Sequence, residues 1–195
     1  MLTRQRIREQ RANDIFQEAA RILCDLGFER ASIRDIAEAT GMTKAGLYYY
    51  FKSKEELLFI ILDSYMDELL GGISAIDGAE ADPKTKLMKF IHFHVHRYSK
   101  DVHRSKLIIQ DEHCLSGERR QEIKDKEKDY TGYWKRAFSA YCEQEGKEIA
   151  DVSAHVMILL GICNWTYKWY DPTGSLTPDD LAELIFQLFF QGFRG

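Results

Sequence analysis

Apolar positions along most of this chain recur at intervals of three and four, and no stretch competes with the period-two alternation of a half-buried strand. Over residues 7–26 the apolar side chains Ile15, Phe16, Ala19, Ile22, Leu23 and Leu26 form one face of an amphipathic helix that Gly27 closes, with Phe28 tucked beneath it. A second helix opens at Ser32, whose hydroxyl can cap it while Asp35 folds back toward the cap's own N–H. Ile33, Ile36 and Ala37 share its buried face. Gly41 follows where a left-handed turn residue is wanted, and Thr43 is placed to cap a short helix over 44–50. Leu47 and Phe51, spaced i and i+4, should face inward. Ser53 and Glu56 make a second capping box, and the helix from Lys54 carries a stripe from Leu57 to Leu70 before Gly71 and Gly72 weaken it. Pro83, Pro172 and Pro178 are the only prolines, each at an expected helix boundary. Asp82-Pro83 starts a helix to about Ser99, followed by a short element over 102–109 and a charged helix over 118–144. Two further helices are expected over 149–169 and 177–193, the last begun by Thr177-Pro-Asp-Asp180. The prediction is an all-α fold of about nine helices: a three-helix head over 1–53 and a helical body over 54–195.

Composition narrows the class. With 195 residues, 45% hydrophobic and 30% charged, the chain has enough apolar side chains for a head and a body with its own core, and disorder is excluded. No apolar run approaches the roughly 20 residues a membrane helix needs, and Met1-Leu2 leads straight into polar and arginine residues. The expectation is a cytoplasmic protein without a membrane partner. Cys24, Cys114, Cys142 and Cys163 lie far apart with no CxxC pair, which argues for reduced thiols rather than a zinc ribbon or redox couple. Cys114, beside His113 in a polar segment, is the one to check for reactivity.

Residues 32–58, SIRDIAEATGMTKAGLYYYFKSKEELL, read as a helix, a tight turn, a second short helix and the start of a third. This is the layout of a helix-turn-helix, in which the second helix enters the DNA major groove and the first crosses the backbone. Thr43, Lys44, Ala45 and Gly46 then lie near base edges, the small residues allowing close approach. Tyr48, Tyr49 and Lys52 form the outer face toward phosphate or bases. Ser32 and Arg34 on the first helix complete the set, and Lys54, beside free N–H groups in a first helical turn, is placed to hold a phosphate. The first 55 residues hold ten Lys/Arg against eight Asp/Glu, a balance of +2, so the other 140 carry −6 of the total −4. Arg4, Arg6, Arg8 and Arg11 crowd the N-terminus against Glu9 alone. The field is small, so affinity must rest on focused phosphate contacts. The ordered string of an Ile-Ala pair, Gly turn, small-residue helix, Tyr-x-Tyr-Phe ending and Lys-Glu-Glu-Leu start resembles the DNA-binding segment of TetR-family transcriptional regulators.

That resemblance implies a body that binds a small molecule and closes with two helices pairing against those of a second subunit. Val156 and Leu160, with Leu181, Leu184 and Leu188, mark two apolar faces suited to such a homodimer, as two-fold half-site recognition requires. Segment 161–174, GICNWTYKWYDPTG, resembles the corresponding part of TetR-family repressors that sense acyl-CoA thioesters of fatty-acid or steroid degradation. Such a sensor needs an apolar tunnel and a cationic, aromatic-lined mouth. Asn164, Trp165, Lys168 and Trp169 are the candidates, although the tryptophans serve equally well as core or interface aromatics.

His92 and His96, at i and i+4, share a helix face as zinc ligands do, but no HExxH motif and no third ligand at a diagnostic spacing accompanies them. The reading is surface or pocket-lining histidines and no metal. Nucleophile elbow, phosphate loop and dinucleotide fingerprint are absent, so no catalytic residue is assigned. The expectation is a non-enzymatic, ligand-responsive repressor without a bound cofactor, released from a palindromic operator by a hydrophobic effector such as an acyl-CoA. A metal-responsive regulator using His92 and His96, a multidrug-type sensor, and a helical ligand-binding or metal-dependent enzyme are the alternatives.

Overall fold

The computed structural model describes residues 2–191, without the side chains of residues 2–5, 7 and 9. Among them are nine α-helices, two short 3₁₀ turns and no strand: α1 (Leu2–Leu26), α2 (Ile33–Thr40), α3 (Lys44–Leu47), α4 (Lys54–Ala79), α5 (Pro83–Lys100), α6 (Val102–Gln110), α7 (Gly117–Gln144), α8 (Val152–Trp165) and α9 (Pro178–Gln191). The all-helical expectation holds. Helix α1 starts at Leu2 rather than residue 7, and α3 stops at Leu47 because residues 48–50 form a turn that brings Phe51 inward. The expected end of the last helix at Phe193 and the charged side chains of Arg4 and Glu9 lie outside the described residues.

The chain divides into two compact units. The first comprises residues 1–65 and 103–123, and the second 66–102 and 124–195. The expected boundary after residue 53 falls inside the first unit, which also takes in the start of α4, α6 from His103 onward and the start of α7. Glu55 explains part of this. Its carboxylate accepts the backbone N–H and the hydroxyl of Ser116 at 2.9 and 2.8 Å, fastening the approach to α7 onto the first turn of α4. Those two bonds from Ser116 hold the Glu55 carboxyl below its ordinary range. The core of this unit joins Leu23, Ile36, Leu47, Phe51, Leu58 and Leu62 with Leu107 and Ile123.

In the second unit Gly71 and Gly72 do not end α4, which continues unbroken to Ala79. Gly72 is there for packing. A Cβ at this position would lie 2.2 Å from Cζ of Phe93 on α5, so the missing side chain is what lets the ring sit against the α4 backbone. Asp82 caps α5 by accepting the Thr85 N–H at 2.8 Å, with Pro83 in the first turn as expected. Helix α8 begins at Val152, capped by Asp151, and gives way to a 3₁₀ turn after Trp165. At α9 the Thr177 hydroxyl accepts the Asp180 N–H at 3.1 Å while the Asp180 carboxylate accepts the Thr177 N–H at 3.2 Å, a reciprocal cap.

Candidate functional site

The helix-turn-helix is built from short-range bonds. Ser32 Oγ accepts the Asp35 N–H at 3.3 Å and Asp35 Oδ2 accepts the Ser32 N–H at 2.8 Å, closing the predicted capping box. The Ser32 hydroxyl, donating to the same Oδ2 at 2.7 Å, and the Ser32 N–H hold the Asp35 carboxyl below its ordinary range. Gly41 ends α2 at φ 64°, the left-handed conformation that a side chain would strain. Thr43 Oγ1 accepts the Gly46 N–H at 3.1 Å. Gly46 is small for a local reason too: a Cβ there would meet the Met42 methyl at 3.1 Å and the Thr43 hydroxyl at 3.3 Å. Leu47 and Phe51 are buried, whereas Thr43, Lys44, Ala45, Tyr48, Tyr49 and Lys52 stand exposed as one surface. Ser32 and Arg34 are exposed on α2, with Arg34 3.8 Å from Glu38.

Lys54 departs from its expected role. Its ammonium donates to the carbonyls of Phe28, Glu29 and Ala31 at 2.6, 3.2 and 3.0 Å and lies 4.5 Å from the Phe28 ring centroid. Three donors serve three acceptors, so the lysine ties the loop between α1 and α2 to α4 rather than waiting for a phosphate. The box at Ser53 is also only half formed. Ser53 Oγ accepts the Glu56 N–H at 3.0 Å, but the Glu56 carboxylate turns to the N–H of Lys52 instead of that of Ser53.

In the second unit the residues expected at one effector mouth separate. Asn164 is half-buried and its Oδ1 lies 2.9 Å from His94 Nε2, while Trp165, Lys168 and Trp169 are exposed. Lys168 reaches only as far as the neighbouring Tyr167 ring, at 5.0 Å. The amide oxygen can only accept, so His94 carries its proton on Nε2 and Nδ1 accepts the Tyr130 hydroxyl at 3.0 Å. Burial pushes the His94 pKa down, favouring this neutral ring. The His94 ring meets Trp134 edge to face, and the Trp134 Nε1 donor is buried without a hydrogen-bond partner. Nearby on the outside, Leu70, Gly71 and Ser74 of α4 and Lys128, Asp129, Gly132, Tyr133, Lys135 and Arg136 of α7 line a groove of about 720 Å³. Three cations face one carboxylate there, and the Arg136 guanidinium sits 4.5 Å from the Tyr133 ring centroid.

The five residues expected at a dimer face also divide. Val156, Leu160 and Leu181 are 0, 6 and 1% exposed, so they complete this subunit's own core, a correction to their assignment as interface residues. Leu184 and Leu188 remain 43 and 45% exposed. On α8 the exposed stripe is Met157, Ile158, Ile162 and Trp165, turned one to two positions along the helix from the anticipated Val156 and Leu160. Burial and the nearby Asp111 carboxylate raise the Cys114 pKa, which disfavours its thiolate, and burial pushes Cys163 up to about 12.

Comparison with known proteins settles the class. The profile of tetR-family bacterial regulatory proteins matches residues 15–60, and that of the tetracyclin repressor-like C-terminal domain matches residues 80–193. The chain belongs to the tetR family. It is 25% identical over 186 residues to the HTH-type transcriptional repressor KstR2 of Rhodococcus jostii, spanning 93% of this chain and 90% of that one. Among solved structures, a TetR-family regulator from Bordetella parapertussis aligns at TM-score 0.87 with 29% identity, over 93% of this chain and 95% of that one. AibR in complex with isovaleryl coenzyme A and operator DNA aligns at TM-score 0.85 with 31% identity, over 94% of this chain and all of that one. This protein is a helix-turn-helix transcriptional regulator of that family. No helix among its described residues is long and apolar enough to cross a membrane.

Three features of this TetR-family chain escaped the sequence pattern. Arg8 of α1 donates to the Tyr49 hydroxyl and stacks 5.0 Å from that ring's centroid, joining two residues 41 positions apart. The basic groove is built from α4 and α7, whose charges look like ordinary solvated ones when read along either helix. Asp179, at the start of α9, sits against both His92 and His96 of α5, and their bonds hold its carboxyl below the ordinary range. Arg8, as part of the arginine-rich N-terminus, and the His92/His96 pair carried a sequence signal, whereas Asp179 and the groove did not.

Proposed function

We propose that the protein works as a cytoplasmic, non-enzymatic homodimer that binds a palindromic operator and is switched by an acyl-CoA effector held in the body. The observation that carries the DNA-binding half is the exposed surface of Thr43, Lys44, Ala45, Tyr48, Tyr49 and Lys52 around a buried Leu47 and Phe51. Thr43 and Gly46 shape the start of α3, Lys44, Tyr48 and Lys52 supply donors to phosphates and bases, and Ser32 and Arg34 lie where the first helix would cross the backbone. Dimerisation is supported by the exposed apolar residues Met157, Ile158, Ile162, Trp165, Leu184 and Leu188 on α8 and α9.

The effector class draws its support from chemistry and from a neighbour. A thioester of coenzyme A combines several phosphate charges with an apolar tail. The groove offers Lys128, Lys135 and Arg136 for the phosphates and Tyr133 for the adenine, while the unpaired Trp134 donor beside His94 suits an acyl carbonyl. Trp165, Lys168 and Trp169 form a second, more open candidate for the mouth. AibR holds isovaleryl coenzyme A and operator DNA together, so in that protein the two ligands are compatible. For this chain the reading is release: effector in the body shifts the dimer toward a spacing of α3 helices that no longer matches one DNA turn.

Fluorescence anisotropy of labelled operator tests both halves. Tyr48→Phe and Lys44→Ala should each weaken operator binding by about threefold to tenfold, the loss of one hydrogen bond or phosphate contact, without altering the fold. Long-chain or ring-derived acyl-CoA should release the operator while free acid and free CoA do so far less. Arg136→Glu should blunt the response more than Lys168→Glu. The reverse order would move the mouth to the 161–174 segment, and release by none of the thioesters would overturn the effector assignment.

A further inference from the structure

We propose that His92, His96 and Asp179 are the ligands of a divalent transition-metal ion, zinc by chemistry, on the surface of the second unit. His92 and His96 stand one turn apart on α5 with rings inclined by only 18° and centroids 6.4 Å apart. His92 Nδ1 lies 3.1 Å and His96 Nε2 2.7 Å from the same oxygen, Asp179 Oδ1, and one donor atom from each residue lies within 4.8 Å of the others. In the metal-free chain each ring donates an N–H to that oxygen; an arriving cation displaces these two protons and takes the freed nitrogen lone pairs together with the anionic oxygen. Tetrahedral zinc, with bonds of roughly 2.0–2.2 Å, needs its ligand atoms about 3.3 Å apart, so the two N–O edges, at 3.1 and 2.7 Å, have to open by well under an ångström to admit the ion. Two nitrogens and one oxygen favour zinc, nickel or copper over calcium or magnesium, and they leave at least one position for water.

Access and folding are both consistent with uptake. The side chains are 30, 35 and 69% exposed, so an ion reaches them without opening the core. Asp179 is 83 residues from His96, so the set exists only in the folded chain and the bound ion stabilises the unit by pinning the first turn of α9 to α5. Helix α9 is the element that exposes Leu184 and Leu188, which gives the pin a place to act on the apolar face. The site is independent of the effector reading, since it shares no residue with the groove or with the His94 cluster.

The test uses full-length protein stripped with chelator and titrated with Zn²⁺ by equilibrium dialysis and elemental analysis. One equivalent per chain is expected, with a rise in Tm, and Co²⁺ in its place should give the visible absorption of a site with nitrogen and oxygen ligands. His96→Gln and Asp179→Asn should each weaken uptake at least about tenfold, the loss that even outer-shell partners cause at metal sites. Cys114→Ser should leave uptake unchanged, which separates the site from the His113–Cys114 pair. Sub-stoichiometric uptake, equal uptake by wild type and both ligand variants, or loss on Cys114→Ser would overturn the proposal. Should a ligand variant misfold, a Co²⁺ spectrum of wild type with thiolate character, or none at all, does the same.

Discussion

The bonds that shape the helix-turn-helix join residues three or four positions apart, from Ser32 to Asp35, Thr43 to Gly46 and Ser53 to Glu56. Those that organise the second unit join residues 36, 70 and 87 positions apart, from His94 to Tyr130 and Asn164 and from His92 to Asp179. Local bonds form in any chain segment that adopts the right turn, so the surface proposed to read DNA is specified by short words in the sequence. Distant bonds wait for the fold. The first unit also has long ties: Lys54 to the loop after α1 and Glu55 to Ser116 act on the ends of the local motif, and Arg8 reaches Tyr49 on its outer face.

The largest effect expected from breaking this contrast comes from a matched pair in the body. Val156→Glu puts an unpaired carboxylate where the side chain is fully buried, a cost of several kcal/mol against a total stability of roughly 5–15 kcal/mol, and should unfold the chain by circular dichroism. Leu184→Glu puts the same group on an exposed position and should leave the helical signal intact while sedimentation reports monomers. If Leu184→Glu unfolds the protein, or stays dimeric, the apolar face has another role.

A smaller loss is expected at Lys54. Lys54→Met keeps the aliphatic stem but leaves the Phe28, Glu29 and Ala31 carbonyls without their charged donor, costing about 2 kcal/mol by chemical denaturation. Operator affinity of the folded fraction should hardly change. A large drop in affinity at unchanged stability would restore the phosphate role.

Two glycines give the finest comparison. Gly41→Ala meets no atom within 4 Å, so its cost is backbone strain at φ 64°, about 1 kcal/mol, and no second mutation nearby should recover it. Gly72→Ala drives a methyl against the Phe93 ring and should cost about 1–2 kcal/mol, recovered in large part by Phe93→Leu, which clears the far end of the ring. Equal behaviour of the two in that double-mutant experiment would erase the distinction between a local and a tertiary glycine.

The all-helical class, the nine helices and most of their caps were legible along the chain, because period, cap residue and proline position are properties of a few consecutive residues. So was the outward set at Tyr48, Tyr49 and Lys52. The roles of Lys54, Gly72 and Val156 were not. Lys54 has a free helix N-terminus beside it in sequence and three carbonyls from another segment beside it in space, and the carbonyls win. Gly72 reads as a helix breaker until Phe93 is seen to occupy its missing side chain. Val156 and Leu184 are equally apolar letters, and only the packing of α8 and α9 decides which of them the subunit buries for itself. Sequence by itself determined which residues stand outward around Leu47 and Phe51, since that surface is folded from local capping and spacing. Tertiary structure alone decided where the cations converge into a groove and that Asp179 faces His92 and His96, because those side chains become neighbours only once distant helices pack.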